Sequence, residues 1–178
     1  MRQQAWLEKI NTQAQEAPTL LTAWKTIPDE YKLRTKIATA GARAFYQLGD
    51  SKTARQILTD SLNSQWDSDL VKLYGESLSG EVINQIDQAE RWLKEHSNDA
   101  GLLLVLGKLC CLHQGLWGKA QSYLEASASV APSIAAYTIL GQLSEKLQKP
   151  NDAFGFFQKA MGLVTGIKGG ERRMGLGD

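Results

Sequence analysis

Four alanines, Ala54, Ala89, Ala120 and Ala153, recur along this chain at spacings of 35, 31 and 33 residues. Each is followed four positions later by a large apolar residue: Leu58, Leu93, Leu124 and Phe157. Two further pairs, Leu106-Gly107 and Leu140-Gly141, stand 34 residues apart, and Ala42 with Phe45 takes the small and large roles in an earlier unit. A period this short describes one helical hairpin, which cannot bury an apolar face alone and must stack on its neighbours. Small residues at a crossing let helix axes approach to roughly 8–9 Å. A large side chain four positions on lies on the same face and fills the adjoining groove.

Apolar residues recur elsewhere at three- and four-residue spacing, without strand-like alternation. The pattern predicts helices at about 2–16, 18–26, 29–48, 51–63, 67–76, 80–96, 99–114, 117–130, 133–147 and 150–163. Pro28, Pro132 and Pro150 fall just ahead of such segments, where a missing N–H does no harm. The stretch 67–96 is irregular, with a short first helix interrupted near Leu78-Ser79-Gly80. After Gly141 the positions three and four residues on are polar, Ser144 and Glu145.

The hydrophobic share of 43% and charged share of 22% are ordinary for a soluble globular chain. With a net charge of +1, no global field points to nucleic acid or a membrane surface. Locally the balance shifts from +3 over residues 1–63 to −3 over 64–166, which solvated faces readily produce. The start, MRQQAWLEKI, lacks the apolar core of a signal peptide. The most apolar run, 101–112, is too short to span a bilayer and contains Lys108. The two cysteines, Cys110 and Cys111, are adjacent and form no useful staple, which fits a reducing compartment.

The period and the small–large alternation resemble the tetratricopeptide pattern. The expected fold is all-α: tetratricopeptide-like helix–turn–helix repeats stacked into a right-handed superhelix over residues 1–165. A Gly-rich tail at 166–178, GIKGGERRMGLGD, is expected to be disordered. A narrower resemblance rests on RQQAW (2–6), TAWKTIP (22–28) and TARQILTDSLNSQWDSDLVKLYGE (53–76). The repeats LGKLCCLHQGLWGKAQSYLEAS and LGQLSEKLQKPNDAFGFFQKAM follow in the same order. Together they look like the C-terminal half of the HemY proteins of Gram-negative bacteria. That resemblance implies an inner-membrane protein linked to late haem (porphyrin) biosynthesis, anchored by two N-terminal membrane helices that this stretch lacks. Met1 would then fall inside a longer natural chain, with this part a soluble domain on the cytoplasmic side. A different protein of the same name is a flavin-dependent oxidase, but no G-x-G-x-x-G follows a strand here, so its activity does not carry over.

Catalytic and metal-binding patterns are missing: no H-E-x-x-H, no G-x-S-x-G and no C-x-x-C. His96 sits at a helix end, a capping position. No enzyme is expected. The cluster Cys110-Cys111-Leu112-His113 invites a metal or haem reading. Cys110 falls in the stripe of Leu102, Leu103, Leu106 and Leu109 and reads as a core thiol. Cys111 points about 100° away, and a structural zinc would find at most two ligands here. Cys111 and His113 remain candidates for axial haem ligation. Haem or porphyrin is thus a ligand the chain could carry directly, with Arg43 and Lys108 for its propionates, and no resident cofactor is expected.

Repeat geometry instead points Arg43, Tyr46 and Gln47, then Lys108 and Cys111, then Gln142 and Glu145 toward a concave groove suited to a peptide or helix. The expected function is a scaffold that organises haem-biosynthesis enzymes or their intermediates. An exposed terminal helix face would also allow pairing with a second copy.

Overall fold

In the computed structural model, residues 2–77 and 80–166 are described. Of the expected tail, 166–178, only Gly166 is among them, and the Leu78-Ser79 interruption lies outside them. The chain groups into two compact units, 1–82 and 83–178. Eleven α-helices run through the described residues: α1 Gln3–Gln13, α2 Ala17–Lys25, α3 Asp29–Lys32, α4 Thr35–Gln47, α5 Ser51–Ser64, α6 Ser68–Glu76, α7 Val82–Leu93, α8 Ala100–Cys111, α9 Trp117–Val130, α10 Ile134–Lys146 and α11 Pro150–Thr165. A short 3₁₀ turn, Gln114–Leu116, joins α8 to α9.

Hairpins are the building blocks. In the first unit α4 pairs with α5, α1 and α2 lie against α4, and α6 lies against α5 and α4. In the second, α8 pairs with α9, α10 with α11, and α10 also packs on α9. All four ladder alanines are buried, as the pattern required. The glycines mark the tightest approaches. A Cβ on Gly107 would stand 2.5 Å from Leu124 Cδ2, and one on Gly141 would stand 2.7 Å from Phe157 Cδ1. A third such contact, Gly41 under the Trp24 ring (2.7 Å to Cη2), joins α4 to the preceding α2. Trp24 in turn meets Phe45 edge to face, centroids 6.2 Å apart, an arrangement that favours aromatic pairs.

A second repeated device stands seven residues after two of the ladder alanines, Ala54 and Ala120. Ser61 Oγ donates to the Leu33 carbonyl, and Ser127 Oγ donates to the Ala100 carbonyl, both at 2.8 Å. Each hydroxyl is buried and ties its helix to the start of its hairpin partner. Helix starts are fixed by side-chain caps: Asp50 accepts from Thr53 N, Asp67 from Leu70 N, Asp99 from Leu102 N and Ser133 from Ala136 N.

Three expected boundaries need correction. The segment 29–48 is two helices, broken at Leu33-Arg34, where Arg34 is extended (ψ 135°). The Leu33 carbonyl is taken by Ser61, and the Arg34 guanidinium lies over the Tyr31 ring at 4.4 Å. The helix expected over 80–96 spans 82–93, so His96 sits in the turn beyond it, its N–H bonded to Trp92 O. The helix expected over 99–114 stops at Cys111, which places His113 outside it.

In the second unit, Glu90 on α7 collects two donors from α9: Lys119 Nζ at 2.7 Å and the Tyr123 hydroxyl at 2.6 Å. The bond from Lys119, and then that from Tyr123, hold the Glu90 carboxyl below its usual range against the opposing effect of burial. A carboxyl with a depressed folded pKa stabilises the fold above its ordinary titration range, and that stability is lost as pH falls through the folded value. We therefore expect the stability gap between the protein and Glu90→Gln, read from urea midpoints, to be widest near pH 6–7. It should narrow steadily on acidification below about 4.5.

Candidate interaction site

The exposed residues of α4 fall on one arc of the helix. Ile37, Ala38, Gly41, Ala42, Ala44 and Phe45 are buried on the opposite arc, which faces its neighbours in the bundle. The free arc carries Lys36, Thr39, Arg43, Tyr46 and Gln47, and it forms one wall of two adjoining hollows whose other wall is α6. One, of about 450 Å³, is lined by Thr35, Lys36, Thr39 and Arg43 against Asp69, Lys72, Leu73 and Glu76. The other, of about 210 Å³, brings Arg43, Tyr46 and Gln47 against Leu73, Glu76 and Ser77. The structure thus brings together the first three sequence candidates. It adds a wall, α6, that the sequence reading did not include.

In the second unit a hollow of about 430 Å³ lies between the end of α8 and α10. Cys111, Gln142 and Glu145 line it, joined by Ile139, Leu143 and Lys146. Lys108 is half-buried one turn back on α8 and is not part of that lining. Arg43 belongs to the first unit and Lys108 to the second, so a joint propionate site has no described geometry.

The two thiols have different surroundings. Cys110 is fully buried, and burial pushes its thiol up to about 11. Cys111 is half-buried; burial raises its pKa as well, against the opposing charge of Lys146. Its carbonyl accepts from Trp117 Nε1 at 3.2 Å, which ties the end of α8 to the start of α9. His113 is exposed at the head of the 3₁₀ turn, where Leu116 N bonds its carbonyl. With α8 ending at Cys111, Cys110 and His113 do not share a helical face. Among the described residues, no group of three or more His, Cys, Asp or Glu side chains is placed to hold a metal ion. Among them also, no helix is long and apolar enough to cross a membrane. On α11, Phe154, Met161 and Val164 stand exposed.

Hairpins in series, joined at small residues and leaving one arc of a helix free over a hollow, define a tetratricopeptide-like helical repeat protein. The chain is similar to Protein HemY of Escherichia coli K12, with 24% identity over 159 residues, covering 86% of this chain and 39% of that protein. The same figures hold for Protein HemY of Shigella flexneri. The chain therefore spans 39% of the length of these curated relatives. Among solved structures, a crystal structure of MamA superposes with a TM-score of 0.62 at 19% identity, covering 84% of this chain and 89% of that one. A second MamA structure gives 0.61 at 17% identity, covering 89% and 90%. These likenesses show the helical-repeat fold. No family model matches the chain.

The thiol environments predict a simple labelling outcome. A small maleimide at pH 8 should modify Cys111 alone in the native protein, and both cysteines once urea unfolds it. Peptide mass mapping distinguishes the two sites, and modification of Cys110 in the native state would contradict its placement in the core.

Proposed function

We propose that this chain is the interaction module of a HemY-type protein, a scaffold that holds enzymes of late haem synthesis, or passes their porphyrin intermediates, at the bacterial inner membrane. The reading places the module on the cytoplasmic side and assigns it no bond chemistry of its own. The observation that carries it is the free arc of α4, whose Arg43, Tyr46 and Gln47 line hollows against α6. Surfaces of this kind recognise helices or peptides through side-chain hydrogen bonds and pocket contacts. The likeness to Protein HemY supports the pathway assignment through what that family's resemblance implies. Binding two enzymes on one scaffold would raise their effective concentration toward each other, which is how such a module would act without catalysing a reaction.

The test is photo-crosslinking in cells carrying the full-length protein. A photoreactive residue at Gln47 or Gln142 should capture an enzyme of late haem synthesis, identified by mass spectrometry. The same residue at Gln56, exposed on α5 and outside these hollows, should not. Equal capture from all three positions, or no enrichment of such an enzyme at either hollow, would overturn the proposal.

A further inference from the structure

The hollow between α4 and α6 has a charge pattern that specifies its occupant. Its floor is formed by Thr39, half-buried, and Leu73, buried. Its lips are exposed and charged. On the α4 lip stand two cations, Lys36 and Arg43, with no acid among the α4 residues lining the hollow. On the α6 lip stand two acids, Asp69 and Glu76, with Lys72 between them. None of these five charges takes part in an ion pair among the described residues, so the two lips do not neutralise each other.

The spacing is the informative part. Lys36 and Arg43 are seven residues apart, and so are Asp69 and Glu76. Seven residues on a helix span about 10.5 Å. An extended strand repeats a side-chain direction about every 6.6–6.8 Å, and neither two nor four of its residues match that distance. A second α-helix laid along the hollow has the same rise, so its own residues at seven-residue spacing stay in register with both lips.

Resting on the scaffold reading above, we propose that this hollow docks an amphipathic helix of a partner protein, recognised by two charged flanks. One flank carries acids seven residues apart against Lys36 and Arg43. The other carries bases seven residues apart against Asp69 and Glu76, with an acid between them for Lys72. The seam between the flanks is small and apolar, fitting the shallow floor of Thr39 and Leu73. Exposed ion pairs add little affinity one at a time. Arranged in two rows of opposite sign, they fix register and reject mismatched partners.

The experiment uses the 178-residue chain and labelled synthetic peptides of three heptads, with binding followed by fluorescence anisotropy at low salt. The first peptide has Ala and Leu on the seam, Glu along one flank, and Lys with an intervening Glu along the other. A second has the same composition with both signs shuffled onto each flank. A third is the first with a central proline, which prevents a continuous helix. A fourth carries Lys on both flanks.

Saturable binding of the first peptide, at least tenfold tighter than the shuffled or proline-containing one and weakened by salt, is the expected result. The double variant Lys36→Glu/Arg43→Glu, at exposed positions and checked for unchanged helicity, should lose the first peptide and gain the fourth. Equal affinity for the first and shuffled peptides would overturn the charge-row inference and leave the scaffold reading standing. Equal or tighter binding of the proline peptide would overturn it in favour of an extended segment. Self-association of the chain that the double variant abolishes would assign the hollow to a second copy instead. If no peptide binds while crosslinking from Gln47 still captures a haem-synthesis enzyme, this inference falls and the proposed function survives.

Discussion

The close approach of paired helices at glycine is the constraint on which the rest of this structure depends. At Gly107 and Gly141 the space a methyl group would need is already filled by Leu124 and Phe157, and at Gly41 it is filled by the Trp24 ring. Packed interiors leave few voids, so each of these contacts sets the separation of two helices within narrow limits. With hairpin geometry fixed this way, α4 turns six residues into the bundle and leaves the opposite arc facing a hollow. The candidate interaction surface is therefore a by-product of core packing. Its side chains need no special local conformation, only a rigid helix beneath them.

Polar groups sharpen what packing begins. Ser61 and Ser127 use their hydroxyls to lock helix to helix at equivalent places in two hairpins. A buried hydroxyl paired with a carbonyl contributes about 0.5–1.5 kcal/mol, whereas an unpaired one would destabilise the fold. In the second unit the Glu90 carboxylate gathers Lys119 and Tyr123 at one oxygen, joining α7 to α9. That brace supports the region beside Cys110 and asks for no chemical role. The opposite state of the lips around α4 and α6, five charges without ion-pair partners among the described residues, stands out against it.

Much of this was legible in the sequence because burial of a small residue leaves a periodic trace. The alanine ladder, the Leu-Gly pairs and the turn prolines located the hairpins, and helix periodicity put Arg43, Tyr46 and Gln47 on a shared face. Other features carry no local trace. At the Leu33-Arg34 break the Leu33 carbonyl is taken by Ser61, 28 residues away, a partner that the periodic run 29–48 does not reveal. Gly41 lies outside the small–large spacing because its partner, Trp24, precedes it on α2. The α6 wall belongs to an irregular repeat and so leaves no periodic trace, although Asp69 and Glu76 share the seven-residue spacing of Lys36 and Arg43. The serine lock could have been found, since a small residue recurs seven positions after three of the four ladder alanines, at Ser61, Ser127 and Ala160.

The most direct test of this account is a double-mutant cycle at the tightest hairpin contact, with stability read by urea denaturation. Gly107→Ala should destabilise by about 1–3 kcal/mol through overpacking, and Leu124→Ala by about 2–5 kcal/mol through lost burial. Gly155→Ala on α11, where an added Cβ meets nothing within 4 Å, should instead stabilise by about 0.5–1 kcal/mol and gives the helix-propensity background. If the glycine exists to admit the leucine, the double variant Gly107→Ala/Leu124→Ala will cost less than the two single changes together, by at least about 1 kcal/mol. Costs that add to within about 0.5 kcal/mol would show that the two positions do not compete for the same space, and the packing basis of the repeat would have to be sought elsewhere.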